Sequence, residues 1–201
     1  MKAGVAILDS GIHPGHPHVT GFAAGRCFVP GEPPDAYLDY LGHGTAVAGA
    51  ICEKTPDVSL YVAKIFHRQL STKIEVLLAA IDWALEQPVQ LVNLSLGTSN
   101  EAHREAFVSR VALAAERGIQ IVSAAGSLPG TLEGVAAVEL DDTVPRDRYA
   151  APFRACGWPR PIPGLAPDRN FHGISFAVAN VTGYLARELT RTPSPVSIGS
   201  R

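Results

Sequence analysis

Short apolar segments recur along this chain, and stretches with helical periodicity separate them. The apolar segments lie at residues 3–8, 59–66, 90–96, 119–125 and 135–140. Each is too short for a helix, and their length and composition are typical of strands that are buried on both faces. Because helices lie between the strands, consecutive strands connect by crossovers and pair in parallel. The pattern predicts a three-layer α/β fold, in which helices cover both faces of a mostly parallel central sheet.

The helices are predicted from apolar residues that recur at helical spacing, at 45–52, 72–85, 100–117 and 175–189. Thr72 and Glu75 have the spacing of a capping box, in which each side chain bonds a free backbone N–H at the start of a helix. Gly118 stands where a left-handed residue commonly ends a helix. Residues 11–42 and 141–172 are rich in Gly and Pro, so we expect irregular connections there.

No linker or internal repeat divides the chain, so we expect one domain over residues 1–190. Residues 191–201 contain no apolar anchor beyond Val196 and Ile198 and are predicted to form a flexible tail. The chain begins directly with its first apolar strand, and we expect neither a signal peptide nor a pro-domain before it.

Composition excludes several classes of protein. The net charge is −2 and both signs are scattered, which argues against nucleic acid or an anionic membrane as a partner. No apolar run reaches the roughly 18 residues that a membrane span needs. Three cysteines at wide spacing match neither a zinc site nor a disulfide framework. They indicate reduced thiols and a cytoplasmic location.

Three residues in glycine-flanked turns carry the chemistry of the sequence. Asp9 follows the first strand, His43 lies between two glycines before a small-residue helix, and Ser175 falls in the first turn of the last helix. Taken singly, they are more simply explained as a turn former, a structural histidine and a helix cap. Taken together, an acid, a base and a hydroxyl at such turns are the components of a nucleophilic triad.

The motifs around these residues resemble those of the subtilisin-like serine proteases. Asp-Ser-Gly at 9–11, His-Gly-Thr at 43–45 and Gly-Ile-Ser-Phe-Ala at 173–177 match in type and in chain order. The resemblance extends over residues 3–189. It implies that Ser175 attacks a peptide carbonyl to form an acyl-enzyme, with His43 as base and Asp9 orienting the imidazole.

The resemblance also implies the substrate-binding residues. An extended peptide would pair with one backbone segment, and a second segment would form a wall of the pocket for the side chain before the cleaved bond. These segments are Ser95, Leu96 and Gly97, and Ala124, Ala125 and Gly126. The backbone N–H of Ser175 and the side chain of Ser127 would form the oxyanion hole.

Two departures from the family pattern bear on activity. Ser127 replaces the asparagine that donates to the oxyanion, and Ile174 replaces the threonine before the nucleophile. Residues 52–58 are too few for the family's calcium loop, so we predict no calcium there, no other metal and no cofactor. The sequence favours a serine endopeptidase for one intracellular peptide, such as a precursor or leader peptide. The alternative is a weak or inactive protease-like scaffold that binds a partner protein or precursor peptide.

Two other patterns suggest competing sites. His13, His16 and His18 could ligate a metal, but two prolines and no nearby cysteine or carboxylate favour a rigid loop. An esterase would use Ser95 with Asp141 or Asp142 and His172, yet the first glycine of the nucleophile elbow is missing.

Overall fold

The computed structural model of the protein describes residues 2–191. Within this range a seven-stranded sheet forms the centre, and its neighbouring strands pair in parallel. The strands are β1 (Ala3–Asp9), β2 (Phe22–Cys27), β3 (Val58–Lys64), β4 (Leu91–Leu94), β5 (Gln120–Ala124), β6 (Ala136–Leu140) and β7 (Arg154–Ala155). Their order across the sheet is β2-β3-β1-β4-β5-β6-β7, which places β1 inside the sheet, between β3 and β4.

Four α-helices cover the two faces of this sheet. They are α1 (His43–Lys54), α2 (Ile74–Leu85), α3 (Arg104–Glu116) and α4 (Ile174–Arg191). Helices α1 and α4 pack in one core, with Ile51 and Val178 among its fully buried residues, while α2 and α3 pack in the other through Leu77 and Phe107. The predicted three-layer α/β architecture is confirmed.

Strand β1 shows why this arrangement is stable. All seven of its residues are buried. Val5 and Ile7 face the core of α1 and α4, whereas Ala6 and Leu8 face the core of α2 and α3. Since side chains alternate between the faces of a strand, only a strand that is apolar throughout can serve both cores. The strand ends at Asp9, at the carboxyl edge of the sheet, where parallel α/β folds collect their functional groups.

The structure differs from the sequence prediction in the two glycine- and proline-rich regions. Residues 11–42 contain β2, and residues 141–172 contain β7 and a short 3-10 turn at Pro167–Arg169. Strand β2 lies at the edge of the sheet and is mostly half-exposed, so it lacks a continuous apolar run. Strand β7 has only two residues, too few for a periodic pattern.

The helix starts also differ in detail. Helix α1 begins at His43 instead of residue 45. Helix α2 begins at Ile74 with Lys73 as its N-cap, and no side chain caps it, so the predicted capping box of Thr72 and Glu75 is wrong. Gly118 adopts the left-handed conformation expected after α3, with φ of 67°. The predicted tail at 191–201 lies outside the described residues, except for the last residue of α4.

No helix among residues 2–191 combines the length and the hydropathy that crossing a bilayer requires. The connection between α1 and β3 consists of residues 55–57 only.

Candidate active site

Asp9 and His43 form a buried hydrogen bond at the carboxyl edge of the sheet. Nδ1 of His43 lies 2.7 Å from Oδ1 of Asp9. Asp9 is fully buried and His43 is 6% exposed, so water competes little for this bond. Because a carboxylate can only accept, Nδ1 carries the proton, and the lone pair of the neutral imidazole lies on Nε2. This pair can therefore take up a proton at Nε2.

Two glycines bring α1 close enough to β1 for this bond. Gly42, the residue before α1, has a left-handed conformation with φ of 78°. A Cβ atom on Gly44 would lie 2.2 Å from the carbonyl oxygen of Gly11 and 3.2 Å from Oδ1 of Asp9. Any side chain at position 44 would therefore push the helix away from the end of β1. The glycines on either side of the imidazole are needed for its position.

Asp39 organises the turn before α1, although the sequence analysis did not identify it. Its Oδ1 accepts hydrogen bonds from the Ser10 hydroxyl at 2.9 Å, the Leu41 N–H at 3.0 Å and the Gly42 N–H at 2.9 Å. Its Oδ2 accepts from the N–H and the hydroxyl of Thr45, at 2.9 and 2.7 Å. Burial raises the pKa of Asp39, but these hydrogen bonds outweigh it and lower the pKa below the ordinary value. Asp39 thereby joins the end of β1 to the start of α1.

A buried lysine supports the same region. Lys64 is 1% exposed and is the strand partner of Asp9 in the β1–β3 register. Its Nζ donates to the carbonyl oxygen of Leu38 at 2.6 Å and lies 4.5 Å from the ring centre of Tyr40. These contacts hold the segment that contains Asp39 against the sheet.

Ser175 lies in the first turn of α4, and this turn packs against His43. The ring of Phe176 lies 5.2 Å from the imidazole, and the ring of Phe171 lies 5.8 Å from it, measured between ring centres. Ser175, next to Phe176, is partly exposed. Among residues 2–191 neither Nε2 of His43 nor the Ser175 hydroxyl has a hydrogen-bond partner. The structure thus brings the three predicted residues to one region, but joins only the acid and the imidazole.

The two predicted substrate-binding segments lie side by side on the same edge. Ser95–Gly97 follows β4, and residues 124–126 end β5 and continue beyond it. Beyond these segments, Thr98 and Leu128 exchange two backbone hydrogen bonds, of 3.0 and 2.9 Å, which join the two segments. The backbones of Leu96 and Gly97 form no hydrogen bond with any other described residue, so they can pair with an added strand.

Ser127 lies directly against the segment of Leu96 and Gly97. A Cβ atom placed on Gly97 would fall 2.1 Å from the Ser127 hydroxyl oxygen, so that hydroxyl occupies the space beside Gly97. A cavity of about 390 Å³ also lies beside Leu96 and Gly97. Its walls include Leu96 together with Ile74 and Leu77 of α2. The sequence predicted these two residues as part of a helix and gave no indication of a role in a site.

The structure does not bring together all residues of either competing site. His172 and Asp142 form a hydrogen bond of 2.8 Å, but Ser95 follows β4, and β5 separates that strand from β6, which precedes Asp142. No group of three or more His, Cys, Asp or Glu residues among residues 2–191 is arranged to hold a metal ion. His13, His16 and His18 instead line a cavity beside the turn before α1.

The electrostatics of the site favour a charged imidazole. Burial lowers the pKa of His43, but the hydrogen bond that His43 donates to Asp9 and the charges of Asp9 and Asp39 outweigh it, so the pKa is raised above its ordinary value of 6.5. A proton that reaches Nε2 is therefore held more strongly than on a free imidazole. This is the property required of a group that accepts and then returns a proton.

Comparison with known proteins agrees with this geometry. The model of the subtilase family, peptidase S8, matches residues 2–142, which contain Asp9 and His43. A thermostable alkaline protease of Halalkalibacterium halodurans is 32% identical over 219 aligned positions, which cover 96% of this chain and 58% of that protein. The chain thus spans little more than half the length of this relative.

Two solved structures share the fold. The nisin leader peptidase NisP of Lactococcus lactis superimposes with a TM-score of 0.74 at 20% identity, covering 92% of this chain and 76% of that one. A lanthipeptide protease superimposes with a TM-score of 0.76 at 20% identity, covering 96% and 77%. The predicted subtilisin-like fold is confirmed.

Replacement of Asp9 by asparagine should lower the pKa of His43 below 6.5. The substitution removes the negative charge that raises the pKa and leaves the burial that lowers it. An NMR titration of the imidazole Cε1–H resonance would measure the change. Asp147→Asn is the matched control, since Asp147 is exposed and pairs with Arg148. An unchanged His43 titration in the Asp9→Asn protein would show that Asp9 does not control the imidazole.

Proposed function

Because this chain belongs to the subtilase family, we propose that it is a serine endopeptidase that uses Asp9, His43 and Ser175. The observation that carries the proposal is the buried bond between Asp9 and Nδ1 of His43, with the first turn of α4 packed against the same imidazole. A hydroxyl and a base need to meet only when substrate is bound, and such contacts are often long in the free enzyme.

In this proposal the reaction proceeds in two halves. The Ser175 hydroxyl oxygen attacks the peptide carbonyl carbon, and its proton moves to Nε2 of His43. When the C–N bond breaks, the same proton passes to the leaving amine, and the acyl group remains on Ser175. A water molecule then gives a proton to Nε2 of His43 while its oxygen attacks the acyl carbon. The ester bond to Ser175 breaks, the acid product leaves, and the proton on Nε2 returns to the Ser175 oxygen. Asp9 keeps the proton on Nδ1 throughout and stabilises the cationic imidazole.

The oxyanion hole is the weakest component of this site. The Ser175 N–H lies at the start of α4, where free N–H groups favour a developing negative charge. The second donor would be the Ser127 hydroxyl, which lies against Gly97. A serine side chain is shorter than the asparagine that it replaces, and loss of one such donor costs roughly 10²–10³ in rate. We therefore expect slow catalysis.

The peptide would bind as an added strand along Leu96 and Gly97, whose backbone groups are available for pairing. Ala124, Ala125 and Gly126 would form one wall of the pocket for the residue before the cleaved bond. The cavity beside Leu96 would receive a further side chain on the acyl side, against Ile74 and Leu77.

A slow enzyme that requires an extended segment suits one designated peptide better than general digestion. A precursor or leader peptide fits this requirement. Of the two solved neighbours, one is named a leader peptidase and the other a lanthipeptide protease, which supports the same substrate class. Cys27, Cys52 and Cys156 are buried and unpaired, which supports a reducing, cytoplasmic compartment.

A second candidate is a binding or scaffolding protein with a protease fold. This candidate is favoured by the short side chain of Ser127, by Ile174, and by the missing hydrogen bond between Ser175 and His43. The two candidates differ in whether Ser175 reacts.

Ser175→Ala should abolish labelling by a fluorophosphonate probe and lower kcat by at least about 10³-fold. The probe phosphonylates a serine whose hydroxyl is activated by a neighbouring base, and only Ser175 has that setting in our proposal. Ser71→Ala, at an exposed position, is the control and should label like the wild type. Labelling that survives in Ser175→Ala would exclude Ser175 as the nucleophile, and an unreactive wild type would favour the scaffold.

Ser127→Asn should raise kcat/KM by about 10-fold or more, since a longer side chain carries an N–H donor toward the oxyanion. Ser127→Ala is the matched variant, because it removes the hydroxyl without adding a donor. Steady-state kinetics on a peptide ester would compare the three proteins. Equal rates for all three would place position 127 outside the oxyanion hole.

The purified protein should cleave its precursor peptide at one bond and leave unrelated unfolded proteins intact. Mass spectrometry of the digests, with a secreted subtilisin as positive control and Ser175→Ala as negative control, would measure both. Free digestion of reduced casein or lysozyme would overturn the narrow role while leaving the protease assignment in place.

A further inference from the structure

A cationic cavity of about 320 Å³, which contains Arg160 and three histidines, lies beside the start of α1, the helix that begins with His43. One wall is the loop that follows β1, and the other is the segment that precedes α4. The residues that matter for its chemistry are His13, His16, His18, Asp39, Arg160 and Phe171. Phe171 also packs edge-on against the ring of His43, so the cavity adjoins the proposed catalytic base.

The arginine of this cavity has no ion-pair partner among the described residues. The guanidinium of Arg160 forms neither an ion pair nor a hydrogen bond with any residue in 2–191. Its backbone is held in place, because the side-chain amide of Asn170 donates to the Arg160 carbonyl at 3.3 Å. Close to it, the rings of His16 and His18 pack edge to face with centres 4.9 Å apart. Burial and the nearby charges of Arg160 and His16 lower the pKa of His18, as expected where like charges face each other.

The nearby carboxylates form their ion pairs and hydrogen bonds with other groups. The two oxygens of Asp39 accept five hydrogen bonds, which come from Ser10, Leu41, Gly42 and Thr45. Glu53, which also acts on His18, is paired with Lys54 at 2.8 Å and with Arg146. Neither acid forms an ion pair with Arg160, so an anion from outside the described chain would be its direct partner.

One imidazole is already oriented as a donor. The backbone N–H of His18 donates to Nδ1 of His16 at 3.2 Å. An accepting Nδ1 carries no proton, so the proton of neutral His16 is on Nε2. Neutral His16 is therefore a hydrogen-bond donor at Nε2. Together with the guanidinium of Arg160, it provides the charge-assisted contacts that carboxylates prefer.

The position of the cavity defines which part of a peptide would reach it. In our proposed function the acyl half lies along β4 and β5, on one side of β1 in the sheet. The loop with the three histidines follows β1 and packs on α1, where His13 N–H donates to the Thr45 hydroxyl at 3.1 Å. Since His43 must protonate the leaving amine, the part of the substrate after the cleaved bond lies on the side of β1 where the imidazole is. The cavity is on that side.

We infer that this cavity is a subsite for an acidic side chain of the substrate, within the first few residues after the cleaved bond. This inference rests on the proposed function and specifies its substrate class: peptides with Asp or Glu on the leaving-group side. The carboxylate contacts Arg160 and Nε2 of His16, and its charge is neutralised there. The preference weakens with added salt, because the cavity is partly open to solvent.

The experiment uses peptide pairs that differ by one charge. A peptide library digest first locates a cleaved bond, and pairs with Glu or Gln at each of the next three positions are then compared. We expect a Glu-to-Gln ratio of kcat/KM of about 5- to 20-fold at one position. In Arg160→Gln the ratio should fall toward one. Arg169→Gln, which removes an exposed arginine outside the cavity, should keep the wild-type ratio.

Binding to the Ser175→Ala protein, measured by calorimetry with the same pairs, separates the inference from the proposed function. Cleavage with equal rates for Glu and Gln at all three positions overturns the subsite and leaves the protease. With no cleavage by the wild type, the pairs are built on a library peptide that the Ser175→Ala protein binds, with Glu or Gln placed at each position in turn. Tighter binding of one Glu peptide that disappears in Arg160→Gln still supports the subsite. Equal binding of each pair overturns it.

Discussion

The hydrogen bond between Asp9 and His43 is the interaction on which the arrangement of this molecule depends. It joins a fully buried carboxyl group at the end of β1 to the first residue of α1. A buried polar group is costly unless it is paired, so the end of the strand and the start of the helix must stay in contact. That contact requires glycine at position 44, because any Cβ there would strike the Gly11 carbonyl. Asp39 then fixes the same helix from the other side through its bonds to Thr45.

The parallel sheet explains why the remaining parts of the site meet there. Strands β1, β4 and β5 all end at one edge of the sheet. This edge therefore brings together three parts that are far apart in the chain: Asp9, the segment of Leu96 and Gly97 after β4, and the residues after β5. Helix α4 crosses beneath this edge and brings Ser175 to it. In our proposal the two sides of this site differ in charge. An uncharged backbone segment lines the acyl side, and the unpaired guanidinium of Arg160 lies on the other side together with three histidines. The substrate that we infer from both sides is an extended peptide with an acidic residue after the cleaved bond.

This difference between the two sides of the site is consistent with the weak oxyanion hole that we propose. When transition-state stabilisation by Ser127 is poor, selectivity must come from contacts along the peptide, and those contacts raise kcat/KM only for the sequence that makes them. Slow chemistry combined with extended recognition suits an enzyme that acts on one peptide. The two departures from the family pattern, Ser127 and Ile174, and the cationic cavity thus point toward the same restricted role.

The amino-acid sequence was sufficient to predict the layered α/β fold, the strand that ends in Asp9, and the three turns that hold the acid, the imidazole and the hydroxyl. These features follow from local periodicity and from short motifs, which are properties of neighbouring residues. Other features depend on contacts between distant segments or on position in the sheet. The structure revealed β2 and β7, whose edge position or short length leaves no apolar pattern, and it showed that α2 begins at Ile74 and not at Thr72. It also showed that Asp39 accepts five hydrogen bonds and that Arg160 lies beside the histidines of a loop more than 140 positions earlier in the chain. Hydrogen bonds and charges that act between distant segments leave no periodic signal, because their strength depends on distances that only the folded chain sets.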